Sequence, residues 1–424
     1  MMNKILQIWK AKDLRNNILF VLGMLVIFRL AAHIPIPGVN VDALRELFAN
    51  NQILGLLNIF SGGGMQNFSI VMMGVAPYIT SSIIFQLLAM IIPKLEEMQK
   101  EEAGRQKINM WTRWATVPLA IMQSYGMITI LSRSSSAVLG NISSVELSMM
   151  IITITAGTVF LMWMGELISE KNIGNGISLL IFAGIIAGLP QIVQQSIALY
   201  NPSQLPMILG FIAITIITVV VVIVINEGQR NIPIQYARQV RGNKSYGGTS
   251  THLPLRVNMA GVIPIIFAIS VVLFPPMVAQ FFVNAQTAWI AGAAEWIIVL
   301  FQGQLFYGIL YFILVFGFTY FYTEVIFHPD QISDNLQKNG GFIPGIRPGK
   351  HTSEYLANTT HKIIFVGALF LGIVAVLPLL LRAFFPENQS LVIGGTSLLI
   401  VVSVVIETVK QIESQLTMRE YEGS

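Results

Sequence analysis

The amino-acid sequence predicts an all-α polytopic membrane protein, and three observations carry that prediction. Of its 424 residues, 54% are hydrophobic and only 11% are charged, with a mean hydropathy of +0.69. Soluble domains carry about 25% charged residues, so this chain has too little charge to clothe a surface in water. Apolar runs of roughly 20 residues recur along it, the length at which a helix crosses a hydrocarbon core about 30 Å thick. Between those runs, lysine and arginine are distributed with a marked asymmetry.

The N-terminus, MMNKILQIWKAKDLRNN, is basic through Lys4, Lys10, Lys12 and Arg15, and its Ile5, Ile8 and Trp9 suit an amphipathic surface helix. A first span is expected at 18–34. It reads as retained: the apolar run extends to His33 and is followed by Pro35 and Pro37 instead of a small-residue cleavage site. Nine further spans are expected at 71–92, 109–131, 148–168, 176–194, 207–226, 260–282, 303–327, 363–384 and 392–410. The fifth carries the most breakers, with Gly174 before it, Gly176, Gly184 and Gly188 within it, and Pro190 near its end. With the N-terminus inside, 21 of the 25 Lys and Arg fall in inside segments. The others, Arg29, Arg45, Arg133 and Arg382, lie outside or near outer helix ends. That is the positive-inside bias expected of an even number of spans, and it puts both termini in the cytoplasm.

Two cytoplasmic loops, 227–258 and 328–360, exceed the two to eight residues usual between packed helices. The first reads as a hairpin, with IPIQYARQV and STHLPLRV as strands and GNKSYGG as the turn. The second contains GGFIPGIRPGK, residues 340–350, which is either a spacer or a docking surface. The membrane interior is poor in charge. Glu166, Glu227, Glu324 and Glu407 fall close to cytoplasmic span ends, and Arg29 near an outer one, where long side chains can snorkel. The five histidines form no i,i+4 pair, there is no cysteine, and neither HExxH nor a convincing serine nucleophile is present. These absences weigh against an intramembrane hydrolase and, less strongly, against an ion-coupled transporter, which needs ionisable groups at mid-membrane. No cofactor and no metal are expected.

On the outer side, ILGLLNIFSGGGMQNF (53–68) is too short to cross and too apolar for open water. It is either a re-entrant stretch packed on the bundle or a mobile stopper in a pathway. Non-helical backbone at membrane depth requires protein cover or a water-filled cavity.

IFRLAAHIPIPG (27–38), NIFSGGG (58–64), FLMWMGELISEKNIGNGISLLIFAGIIAGLP (160–190), STHLPLRVNMAGVIPIIFA (250–268), DNLQKNGGFIPGIRPGK (334–350) and GGTSLLIVVSVVIE (394–407) closely resemble the bacterial SecY family of protein-conducting channels. The resemblance covers essentially the whole chain, with the motifs in order. It implies ten transmembrane helices in two pseudo-symmetric five-helix halves around a central pore. The N-terminal half would be 1–198, the hinge connection 199–206 and the C-terminal half 207–424. A lateral gate would lie between spans 2 and 3 and spans 7 and 8.

Carried over by position, the pore ring falls on Val75, Ile79, Ile177, Ile181, Ile266 and Ile400, and the plug on about 53–67, including Leu57, Asn58, Ile59, Phe60, Ser61, Gly62, Gly63 and Gly64. A ring of branched apolar side chains can dewet and block ions. Val75 with Ile79, and Ile177 with Ile181, are i,i+4 pairs that share a helix face. The gate's polar cluster maps onto Thr80, Gln123 and Asn258, and the docking surface onto Arg347, Lys350, Arg256, Arg238, Arg241 and Lys244. The hairpin tip RQVRGNKSYGG spaces and thins the paired basic residues usual in the family. The resemblance further implies a non-enzymatic translocation pore for unfolded secretory polypeptides in the bacterial cytoplasmic membrane. Its expected partners are SecE, SecG, the SecA motor ATPase, the ribosome, signal sequences and the lipid bilayer. The competing reading is a secondary transporter, a class also built from broken helices and inverted repeats.

Overall fold

The computed structural model describes residues 9, 11–40, 43–44, 61–132, 143–198, 205–236, 239–241, 244–246, 250–283, 287–384 and 395–422. Most of the expected N-terminal surface helix, residues 53–60 of the expected plug and most of the expected hinge lie outside them.

Most of the described residues are helical. Helix α1 is Lys12–Ala31, α2 Ala76–Ile91 and α3 Pro93–Lys100. Helix α4 is Glu102–Ser132, α5 Ser144–Glu170, α6 Gly176–Ala198 and α7 Leu205–Glu227. After four short strands come α8 Ile263–Phe282, α9 Ala288–Gln302, α10 Gln304–Ile326 and α11 Pro329–Lys338. Two long helices close the chain, α12 Lys350–Phe384 and α13 Gly395–Glu422. Breakers set the boundaries. Pro93, which lacks an N–H, separates α2 from α3 with a bend of 109°. Ser143 and Glu146 form a reciprocal capping box that starts α5.

Among the described residues, five helices are long and apolar enough to cross a membrane, and six if α2 and α3 count as one broken span. Shorter apolar stretches lie in α6, α7, α8 and α9. Several helices present outward apolar rows, such as Leu19, Leu22, Val26 and Leu30 on α1 and Leu209, Ile212, Ile216 and Val220 on α7. Continuous apolar surface of that extent is stable only in lipid, so this is a multi-pass membrane protein.

Two of the departures from the expected spans lie at α2 and α9. Residues 71–75 are turns, so α2 begins at Ala76, because Gly74 takes φ +57° and breaks any helix there. Helix α9 occupies a stretch read as plain outer connection.

The expected hairpin is present and has a third strand. Strand β1, Gln229–Tyr236, pairs antiparallel with β4, Ser250–Arg256, from Gln229↔Arg256 to Gln235↔Ser250. At the tip, β2 (Gln239–Arg241) pairs with β3 (Lys244–Tyr246). The second loop supplies β5, Gly341–Phe342, which adds to the free edge of β1 through Gln235↔Phe342 and Tyr236↔Gly341. Ile232, Leu255, Ile343 and Leu356 are buried together under this sheet, apart from the main core. Two loops separated by some seventy residues of sequence therefore form one small folded unit.

Helices α1–α6 meet α7–α13 mainly along two seams. Helix α8 packs on α2 and α4, and α13 packs on α6.

Leu356 is fully buried, and a Leu→Ala change in a core costs about 2–5 kcal/mol. Leu356→Ala is therefore expected to speed amide hydrogen exchange in β1, β4 and β5 while α4 and α5 keep their protection. Equal loosening of those helices would show that the small core is not a separate unit.

Candidate functional site

The candidate site is assembled where the two groups of helices meet. Val75 is the N-cap residue of α2, and Ile79 lies one turn in. Ile181 comes from α6, Ile266 from α8 and Ile400 from α13, and all five are buried in one apolar core. Ile177, at the start of α6, is partly buried and packs against the same core. The six ring positions are thus brought into a single cluster from four helices.

Two cavities flank that cluster. A wide one of about 480 Å³ opens among Tyr78, Gln86, Arg113, Glu166, Ser178 and Tyr322, and Ile79, Ile177 and Ile266 form part of its wall. A narrow one of about 30 Å³ lies between α2 and α8, lined by Val75, Ile79, Thr80, Gln123, Ile266 and Leu273 among others. Ile79 and Ile266 border both. The two cavities therefore share apolar side chains in their walls, and no charged group lines the narrow one. The wide cavity differs in character: Arg113 Nε and Glu166 Oε1 pair at 2.5 Å across α4 and α5 on its wall. The sequence reading had Glu166 as a snorkelling end group. The structure gives it a partner.

Of the expected plug, Leu57, Asn58, Ile59 and Phe60 lie outside the described residues, whereas Ser61, Gly62, Gly63 and Gly64 begin a chain of turns running to Val75. The segment is almost wholly buried, with Met65, Phe68, Val71, Met72 and Met73 in the main core. Its backbone is satisfied locally and by the strap that follows α1. Ile36 N–H donates to Phe68 O at 2.8 Å, and Ile70 N–H to Ile34 O at 3.1 Å. Gly62, at φ +68°, sits so tightly that a Cβ would meet Phe28 Cζ at 2.6 Å and Gly184 Cα of α6 at 3.1 Å. Arg29 Nη1 donates to Gly62 O at 2.7 Å. This contact escaped the sequence reading, which had Arg29 reaching outward. The missed signal was a lone arginine at the outer end of a span whose residues 16–28 carry no charge, followed at 62–64 by a glycine run.

The polar cluster divides. Gln123 Nε2 on α4 lies 3.4 Å from Thr80 Oγ1 on α2, a long hydrogen bond. Asn258 Nδ2 donates instead to Asn226 Oδ1 at 2.7 Å and to Gly261 O at 3.2 Å, while Asn226 Nδ2 donates to Ser403 Oγ at 2.6 Å. Asn258 therefore ties α7 and α13 to the segment that leads into α8. Asn226 and Ser403 were not anticipated.

The docking residues are spread over the small sheet and its neighbours. Arg347 is exposed between Gly345 (φ +83°) and Gly349 (φ +90°), conformations only glycine adopts without strain. The turn is held from below: Thr352 Oγ1 donates to Arg347 O at 2.9 Å and Ser333 Oγ to Gly349 O at 2.7 Å. Arg256 and Lys350 are exposed on β4 and at the start of α12. Arg241 and Lys244 face each other across β2 and β3, and Arg238 lies outside the described residues.

The family model described as SecY matches residues 69–409. The protein translocase subunit SecY of Halalkalibacterium halodurans is 43% identical over 433 residues, spanning 100% of this chain and 99% of its own. Among solved structures, one described as a protein-conducting channel superposes with a TM-score of 0.63 at 17% identity, covering 93% of this chain and 91% of its own. Sec61 in the canine ribosome–channel complex of the endoplasmic reticulum gives a TM-score of 0.60 at 17% identity over 93% of this chain and 91% of its own.

Gly157 of α5 lies against the turn segment, where an added Cβ would fall 1.9 Å from Ile70 O. Gly157→Ala is therefore expected to displace residues 61–75. In this cysteine-free chain, a Ser61→Cys reporter, nearly inaccessible at 1% exposure, should then react with maleimide at least about tenfold faster, equivalent to about 1.4 kcal/mol in local opening. An unchanged rate would show that α5 does not hold the segment.

Proposed function

The chain belongs to the SecY family, and from that membership we propose that it is the pore-forming subunit of a bacterial protein translocase, passing unfolded polypeptides across the cytoplasmic membrane. The observation that carries the reading is the apolar partition between two cavities, with Ile79 and Ile266 bordering both. A wall of isoleucine repels ions by dewetting and yields to a passing chain without offering it charge or a hydrogen-bond partner. Covalent chemistry has no place in this function.

In this reading Val75, Ile79, Ile177, Ile181, Ile266 and Ile400 are the constriction, and the segment around 53–67 is the plug that covers it at rest. The latch on the plug is the Arg29–Gly62 contact, a charge-assisted hydrogen bond worth about 1.5–3 kcal/mol, strong enough to hold and weak enough to release. Ten helices would span, in halves 1–198 and 207–424 that hinge about 199–206. The seam of α8 against α2 and α4 would be the lateral gate. Thr80 and Gln123 hydrogen-bond to each other from α2 to α4, on one side of that seam, and α8 meets them mainly through apolar side chains such as Ile266, Ile269 and Leu273, which an apolar signal sequence can displace. Asn258 would act from the side of α7 and α13.

The positive charge of the sheet-side loops supports placing them, with both termini, in the cytoplasm. The sheet would then be the platform for the SecA motor and the ribosome. Arg347 would offer its planar fork of donors to carboxylate or phosphate, and Arg238, Arg241, Lys244, Arg256 and Lys350 would steer the partner. SecE and SecG would complete the membrane complex, SecE clamping the halves.

Two experiments test this. In planar bilayers holding the assembled complex, deletion of 57–67, Arg29→Gln and the pair Ile79→Ser with Ile181→Ser should each raise resting ion conductance; a tight membrane for all three would remove the constriction from this location. In proteoliposomes with the motor and ATP, the parent should import a secretory precursor while Arg347→Glu loses most of that import with assembly intact. Equal import by Arg347→Glu would sink the coupling role of the loop alone. Failure of the correctly assembled parent would sink the translocase reading.

A further inference from the structure

The helix between α8 and α10 has no part in the reading above. Helix α9 has 15 residues, about 22 Å at 1.5 Å per residue, too short for a hydrocarbon core of about 30 Å. Because β4 leads into the start of α8, and the end of α10 leads through α11 to β5, α9 lies at the end of the bundle opposite the sheet. It packs on α8 and α10, buries Ala294, and brings Phe301 edge-on to Phe306 at 5.4 Å across the break at Gly303. The other side of the helix is bare. Trp289, Gly292, Ala293, Trp296 and Val299 are exposed, at the i, i+3, i+4, i+7 and i+10 spacing of a single stripe. Trp289 is 74% exposed and Trp296 65%, far too much indole for a helix end left in water.

We infer that α9 lies flat in the membrane interface on the side opposite the sheet, with this stripe set at the boundary between lipid headgroups and acyl chains. Three features select lipid as the occupant. Indole rings concentrate at that boundary because they pair an apolar body with one N–H donor. Directly after Gly303, α10 opens with the exposed apolar row Leu305, Ile309 and Ile313, so the chain on leaving α9 enters membrane-facing surface. The only charged residue of α9, Glu295, is exposed, where it can reach headgroup water, and no Lys or Arg lies on the helix. Attachment is therefore apolar and independent of anionic lipid. Since α9 packs on α8, it fixes the depth of that end of α8 in the bilayer.

The test is site-directed spin labelling in the assembled complex, reconstituted into phosphatidylcholine vesicles with and without phosphatidylglycerol. The chain has no native cysteine to remove. Gly292→Cys is the primary site because a side chain there meets nothing within 4 Å. Ala293→Cys and Val299→Cys complete the stripe without disturbing either tryptophan, and Lys350→Cys is the water-exposed control. The expected result is an oxygen-to-nickel-chelate accessibility ratio severalfold above that control at all three sites. Those sites should share one depth about 5–10 Å below the headgroups, unchanged by anionic lipid. Dominant access to the nickel chelate, silence to both reagents because protein covers the stripe, or a depth that increases steadily from 292 to 299 would each overturn the proposal.

Discussion

A bilayer interior offers no water to a backbone N–H or C=O, so each such group must find a partner within the protein. Most of the described residues meet that constraint by being helical. The telling exception is 61–75, fifteen residues of turns buried in the middle of the molecule. They persist there because the strap 34–36 pairs with 68–70 and Ser61 Oγ accepts from Met65 N–H. Arg29 then donates to the Gly62 carbonyl. Glycine is needed where this segment meets its neighbours: Gly62 faces Phe28 and Gly184, and Gly157 faces Ile70. A side chain at either place would drive backbone out of its hydrogen bonds and into a medium that cannot replace them.

The two seams divide labour along the same physical lines. Where α8 meets α2 and α4, the contact is largely apolar around a small void, and the long Thr80–Gln123 hydrogen bond there joins α2 to α4 without reaching α8. Where α13 meets α6, approach is closer and more polar. Gly174 lies against Leu179 and Thr408, and Gln415 Nε2 donates to Asn172 O at 2.6 Å, with Asn172 at φ +54°. Lys410 and Glu227 pair at 2.7 Å beside it, joining α13 to α7. One seam is cheap to part and the other is pinned, an asymmetry that makes motion of α8 the softest displacement available.

Composition carries the membrane class, because it depends on the residues themselves and not on their neighbours. Hydropathy also located most helices, and the period-two pattern of IPIQYARQV located β1. What escaped are pairings whose partners are distant in sequence. Strand β5 is two residues long and acquires its identity from the edge of β1. Asn226, Asn258 and Ser403 form a network only once α7 and α13 are adjacent. Helix α9 was overlooked because an apolar run too short to cross looks like a connection until its packing on α8 is known. The expected ring positions rest on resemblance, since an isoleucine in a membrane helix looks the same in sequence whether it meets lipid, core or a constriction.

The edge pairing of β5 with β1 has a mechanical consequence. A load applied at the Arg347 turn cannot be taken up by that loop alone, because its strand is stitched to the hairpin and its small core is shared with it. The hairpin in turn runs through two residues or fewer into α7 and a few into α8. Stiff elements joined in series behave as a crank. A push on one short turn becomes a torque on the ends of two helices, one of which belongs to the pinned side of the molecule and the other to its softest seam.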